Sequence, residues 1–173
     1  MPTPDNRLHT AESLLAWRSA LSNERMAHLI KSAFRGTSGA LQRRLKDHDV
    51  LYSHWTLLRV LWQTDGLTQR QLSEQAGVSE PSTFSALQVM EQRGLITRLK
   101  IPGNNKEIRV FVASKGAALR DLIVPAAEEV NQMAIQGISS DDLAITRRTL
   151  LAMAENLRHD ADSMNAVRKV AAP

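Results

Sequence analysis

Apolar residues in the first third of the chain recur at three- and four-residue steps, the spacing of an amphipathic helix. From about Ser22 to Lys46 the stripe is Met26, Leu29, Ile30, Ala33, Phe34, Ala40, Leu41 and Leu45, which predicts one long helix. Gly36 and Gly39 weaken it locally. A shorter amphipathic segment with Leu14, Leu15, Trp17 and Leu21 precedes it. A further helix over about Ser53 to Thr64 buries Trp55, Leu58, Leu61 and Trp62, and Asp65-Gly66 ends it with a left-handed cap.

The stretch from Gly66 to Gly116 has a different rhythm. Thr68 is placed to cap a helix and Gln71 to complete a capping box. Leu72 and Ala76 face inward, Gly77 makes a turn, and Ser79 caps the next helix, whose first turn tolerates Pro81. That helix ends at Gly94. On a helical wheel Thr83, Ala86, Leu87 and Met90 cluster inward. The opposite arc holds Pro81, Ser85, Gln88 and Gln92, with Ser82 and Phe84 at its edges. Phe84 can touch a thymine methyl or pack on a neighbouring helix, and packing is the preferred expectation. The period then changes to two. Leu95–Lys100 and Glu107–Ala113 read as strands joined by the turn Pro102-Gly103-Asn104-Asn105. Two short helices, a tight turn and a basic strand–turn–strand make a winged helix-turn-helix.

Helix resumes from about Lys115 to Gln136, with Leu119, Leu122, Ile123, Ala126, Val130 and Met133 as its stripe and a kink expected at Pro125. Ser139 or Ser140 caps a last helix carrying Leu143, Leu150, Leu151, Ala154 and Leu157, with fraying expected past Asp162. The fold class is therefore mainly α with a small β-wing: a winged helix-turn-helix reader flanked by N- and C-terminal dimerisation helices. The expected divisions are 1–21, an N-terminal extension with a short helix; 22–50 and 116–162, a dimerisation region; 51–115, the DNA-binding domain; and 163–173, a flexible tail. The terminal helices have more apolar face than one small reader can cover. A two-fold homodimer is the simplest closure.

Charge sharpens this picture. The net charge is +4 and the pI about 9.8, which permits nucleic acid without requiring it. Placement says more: Arg93, Arg98, Lys100, Lys106 and Arg109 crowd the wing against Glu107 alone. The absence of cysteine excludes disulfides and thiolate–zinc sites. The five histidines show no metal-ligand spacing, and no nucleophile elbow or phosphate loop is present. An enzyme is disfavoured, and no cofactor is expected. No apolar run reaches the roughly 18 residues of a membrane span, and no secretory signal pattern is seen, so a bacterial cytoplasm is the expected location.

Double-stranded DNA is the expected partner. Gln88 can make two hydrogen bonds to adenine, and Ser79, Ser82 and Ser85 can serve bases or phosphates beside Pro81. Arg70, Arg98, Lys100, Lys106 and Arg109 are expected at phosphates, with Asn104 and Asn105 at the wing tip. The rival is a winged helix that binds protein and carries its basic wing incidentally.

These segments together resemble the MarR family of bacterial winged-helix regulators. The resemblance rests on Leu57-Leu58-Arg59-Val60-Leu61, Leu67-Thr68-Gln69-Arg70-Gln71-Leu72-Ser73-Glu74, Val78-Ser79-Glu80-Pro81-Ser82-Thr83, Met90-Glu91-Gln92-Arg93-Gly94-Leu95-Ile96 and Glu155-Asn156-Leu157. It covers roughly residues 22 to 160. Two departures stand out. The family wing tip reads Asp-x-Arg, where this chain has Asn104 and Lys106; Lys106 keeps the charge without the planar fork. Glu80 and Ser85 stand where the family often has arginine. The resemblance implies a dimer that most commonly represses and that is released from DNA by a small aromatic acid or phenol. It places that effector among Lys31, Arg35, Tyr52, His54 and Trp55, with Arg35 where some relatives anchor a ligand carboxylate.

Overall fold

The computed structural model describes residues 25–101 and 104–170, with the backbone alone at 101, 104–106 and 161–170. The predicted short helix near Trp17 lies outside the described residues. The elements in order are α1 (Met26–Lys46), α2 (Tyr52–Leu61), β1 (Leu67–Thr68), α3 (Gln69–Ala76), α4 (Glu80–Gln92), β2 (Ile96–Ile101), β3 (Asn104–Val112), α5 (Ser114–Ala118), α6 (Arg120–Ile135) and α7 (Ser140–Val170). The protein is mostly helical with one antiparallel sheet of order β1-β3-β2, the architecture of a winged helix. The chain falls into two compact units, Met1–Val130 and Asn131–Pro173.

In the first unit, α1 buries only its C-terminal end, at Leu41 and Leu45. Its earlier stripe stays open, with Met26, Ile30 and Phe34 being 48%, 37% and 56% exposed. Gly36 and Gly39 do not break it, and a Cβ at Gly36 would meet no described residue within 4 Å. Arg43, Arg44 and Lys46 occupy its last turn, where the helix dipole favours cations. Arg44 reaches across to α6 and donates to Glu129 at 3.2 and 3.0 Å.

Two apolar clusters build the core of this unit. One joins α2, α3, α4 and the sheet through Leu57, Leu58, Leu61, Leu72, Leu87, Met90, Leu95, Ile96 and Val110. The other joins the end of α1 to α2 and α6 through Leu41, Leu45, Val50, Trp55, Ile123 and Val130. Each fully buried leucine contributes about 2 kcal/mol. Trp55 and Trp62 meet edge to face at 5.9 Å. Helix α2 thus belongs to both clusters, which is why it can carry the reader on one side and α1 on the other.

The sheet departs from expectation at the wing tip. Asn104 and Asn105 were expected in the turn but lie in β3, which starts at Asn104. The register is regular from Ile96↔Val112 to Lys100↔Ile108, then shifts so that Ile101 faces Asn104. The ladder therefore resumes past an irregularity instead of ending at Lys100.

The helix expected over 115–136 is divided at Leu119 into α5 and α6. Pro125 sits inside α6, where it offers no N–H to the Asp121 carbonyl. In the second unit Ser139 caps α7: the Asp142 amide donates to Ser139 Oγ at 3.1 Å, and that hydroxyl donates to the Asp142 carboxylate at 2.7 Å. Helix α7 does not stop near Asp162. It continues to Val170, because no glycine or proline interrupts the sequence between Ser140 and Ala172. Ile145, Leu150, Leu151 and Leu157 remain exposed along it.

Candidate nucleic-acid interface

The reader is assembled from its caps inward. Gln71 N donates to Thr68 Oγ1 at 3.2 Å while Thr68 N donates to Gln71 Oε1 at 3.0 Å, the capping box read from the sequence. Such a cap stabilises a helix by about 1 kcal/mol. Gly77 ends α3 at φ +65°, a left-handed conformation that a side chain disfavours. Ser79 then caps α4, with the Ser82 amide 3.4 Å from its Oγ.

Helix α4 buries Thr83, Leu87 and Met90 completely. Its opposite arc is exposed and presents Pro81, Ser82, Ser85 and Gln88, with Glu80 at its start. The Ser85 hydroxyl donates to the Pro81 carbonyl at 3.1 Å, which leaves its lone pairs to accept. Phe84 is 44% exposed, which suits the less preferred of its two expected roles, and Val89 on the other flank is 41% exposed. The reading arc thus carries hydroxyls, an amide and two apolar edges, and no cation.

The wing is fastened to the helix pair at its root. Leu67 pairs with Val110 and Thr68 with Arg109, so the residue that caps α3 is also a rung of the sheet. The Val112 amide donates to Asp65 Oδ1 at 2.9 Å, and the Gly66 amide to the Val110 carbonyl at 3.1 Å.

Three of the arginines expected at phosphates are engaged within the protein. Arg70 pairs with Glu74 at 2.9 Å on the exposed face of α3, and that hydrogen bond raises its pKa. Arg109 Nε donates to Glu107 at 2.7 Å, and its Nη1 to the Gly66 carbonyl at 3.1 Å. Arg98 donates to Glu91 from Nε at 2.8 Å, from Nη2 at 2.6 Å and from its backbone amide at 3.2 Å. These bonds from Arg98 hold the Glu91 carboxyl below its ordinary range. Lys100 is exposed. Asn104, Asn105 and Lys106 open β3, and their side chains lie outside the described residues. Sequence reasoning missed Glu91. A glutamate on the last turn of one helix gives no periodic signal for a partner seven residues on, across a turn.

The residues suggested for an effector fall into two groups. Lys31 and Arg35 share an exposed face of α1 with His28 and Ser32 and line an open cavity of about 320 Å³. Phe34, on the same helix, meets Tyr52 edge to face at 6.2 Å, and the Tyr52 amide donates to Gln42 Oε1 at 3.2 Å. Trp55 and His54 are instead core residues, 8% and 1% exposed. Among the described residues His54 Nδ1 has no hydrogen-bond partner. Burial, and then the nearby Arg93 charge, lowers the His54 pKa, against an opposing contribution from Asp49. A closed-in imidazole is not offered to a ligand, because it sits on the buried face of α2.

Arg93 caps the C-terminus of α4 and reaches back to the carboxylate and carbonyl of Asp49, which adopts φ +55°. This arginine, expected on the basic wing surface, holds the loop between α1 and α2.

Among the described residues no helix is long and apolar enough to cross a membrane. A family model described as MarR family matches residues 52–108, from α2 into β3. Solved structures share the architecture over most of the chain. The transcriptional regulator PA3341 is 26% identical, with 78% of this chain and 99% of that one covered at a TM-score of 0.71. A MarR family regulator from Listeria monocytogenes, complexed with a 26mer DNA, is 21% identical, with 79% and 91% covered at 0.71. Bordetella bronchiseptica BpsR, whose DNA binding is regulated by 6-hydroxynicotinic acid, is 18% identical, with 76% and 94% covered at 0.70. The capped helix pair, the outward polar arc and most of the wing lie in the segment that matches the MarR family, and in this segment the chain is similar to regulators of that family.

Proposed function

We propose that the protein binds double-stranded DNA as a homodimer and represses transcription from a pseudo-palindromic operator. The observation that carries this reading is the polar arc of α4, which stands clear of the core beside the β2–β3 hairpin. Gln88 suits adenine, and Ser82 and Ser85 suit bases or phosphates. Lys100 and Lys106 supply charge to the backbone. The DNA complex of the Listeria regulator supports the same use of the same architecture. The open stripes on α1 and on α7 are suited to burial against a second copy. Two readers then address half-sites about 10 base pairs apart.

The effector in this reading is a small aromatic carboxylate or phenol. Arg35 and Lys31 supply cations at the α1 cavity, and a guanidinium fits a carboxylate in a two-point pair. The regulation of BpsR by an aromatic acid supports this class. The ligand acts by favouring a dimer geometry whose reader spacing misfits the operator. A second reading, a regulator without effector, is favoured by the burial of His54 and Trp55, neither of which lines the cavity of the α1 cations.

Selecting duplexes from a random library with the full-length protein, then adding benzoate or a phenol to the complex, tests both parts. Retention of a two-fold sequence pattern supports the operator reading. Retention without any pattern, or no retention, overturns it, and intact complexes at saturating ligand favour the second reading.

A further inference from the structure

Arg70, Arg93, Arg98 and Arg109 of the reader are each bonded to an acid of the same chain. The Arg98 pair differs from the others in what it joins. Glu91 lies on the last turn of α4, and Arg98 lies in β2, at the open edge of the sheet order β1-β3-β2. Both side chains are partly buried, with 26% of Arg98 and 36% of Glu91 exposed. One carboxylate takes two bonds from the guanidinium and one from the Arg98 amide. That amide belongs to an edge strand, where a backbone donor otherwise faces solvent. Three residues, Arg93 to Leu95, separate the end of α4 from Ile96, the first residue of β2. Helix and wing are thus tied twice within a short span, once through the chain and once through this pair.

We propose that Glu91 and Arg98 form a brace that sets the angle between the recognition helix and the wing, so that Arg98 is a positioning residue and not a phosphate contact. The inference rests on the reading of the protein as a DNA-binding regulator. Its physical basis is geometric. A duplex presents its major groove and the flanking backbone at a fixed relation, so α4 and the hairpin can engage together only at one mutual angle. Releasing Arg98 to a phosphate would leave the Glu91 carboxylate uncompensated beside the DNA.

The two roles predict opposite signs for the same substitution. A phosphate-contacting Arg98 is held back by Glu91, so Glu91→Ala would tighten binding. A brace fails whichever partner is removed, so Glu91→Ala and Arg98→Ala each weaken binding, on the order of tenfold. The double variant should be no weaker than either single one, since partners in one contact do not add. The dependence of affinity on salt should keep its slope, because no counterion-releasing contact is lost.

The experiment measures affinity of the full chain, by fluorescence anisotropy across a salt series, for a duplex selected by the unaltered protein from a random library. It compares Glu91→Ala, Arg98→Ala, the double variant and the exchanged pair Glu91→Arg with Arg98→Glu. Coupled losses at unchanged slope, with recovery in the exchanged pair, are the expected result. Tighter binding by Glu91→Ala, or a slope reduced by about 0.9 in Arg98→Ala, would overturn the brace. Lowered thermal stability with unchanged affinity would overturn it too, by leaving the pair a purely structural role. If the unaltered protein retains no duplex, the regulator reading itself fails, and this inference falls with it.

Discussion

The indole N–H of Trp62 donates to the carbonyl oxygen of Gly116 at 3.1 Å, linking the end of α2 to the first turn of the helix after the wing. Gly116 is held just as closely from the other side, where a Cβ would stand 2.1 Å from the Leu95 carbonyl oxygen. Backbone cannot yield as a flexible side chain can. Gly116→Ala should therefore destabilise the fold by about 1–3 kcal/mol, the cost of overpacking. Gly36→Ala makes the control, since no described residue lies within 4 Å of a Cβ there and the site is in the interior of α1. That change should be stabilising by about 0.5–1 kcal/mol. Denaturant midpoints of the two variants decide the matter, and equal shifts would refute the close approach.

Stability should fall in mild acid through His54. Its pKa in the fold is lowered from 6.5, first by burial and then by Arg93. The unfolded chain therefore binds a proton more readily than the folded one. The contribution is fully present above 6.5 and is lost as pH falls through the lower folded value. His54→Leu removes the titrating group and its unpartnered Nδ1, so its stability should change less over that interval. Thermal unfolding of both proteins across the range measures the difference, and parallel curves would count against it.

Base readout and backbone attraction should separate by residue. Gln88→Ala is expected to cost about 1–3 kcal/mol at one base pair and to change the preferred sequence. Lys100→Ala and Lys106→Ala should weaken all sequences alike and reduce the salt slope by about 0.9 each. Affinities for a panel of single-base variants distinguish the two patterns. A uniform loss with Gln88→Ala would remove it from the reading arc.

Effector release should depend on Arg35 more than on Tyr52 or Trp55. Arg35→Ala is expected to abolish dissociation of the DNA complex by benzoate while leaving affinity for DNA unchanged. Titration of the preformed complex checks this, and undiminished release would exclude Arg35 as the anchor.

The backbone of the reader was legible in the sequence because local chemistry wrote it. Thr68, Gln71, Gly77 and Ser79 each satisfy a helix end that any fold must satisfy, and each is used as read. The buried face of α4 followed from its period. Less legible was the fate of the arginines. Charge counting placed Arg98 and Arg109 on phosphates, yet their partners Glu91 and Glu107 are chosen by the relation of α4 to β2 and by the fold of the hairpin. Arg93 was hidden for the same reason, since its partner Asp49 lies 44 residues away. Phe84 defied the rule that large apolar residues turn inward, as residues on a contacting surface can.

Because Thr68 is both the cap of α3 and the partner of Arg109, the chain cannot be lengthened here and keep both roles for it. One residue inserted after Leu67 leaves Thr68 on its helix but slips it from its place opposite Arg109, whereas one inserted after Thr68 keeps the rung and carries the cap off its helix. Relatives and engineered variants should therefore keep the spacing from Asp65 to Gln71 fixed, and fusions or loop grafts belong elsewhere.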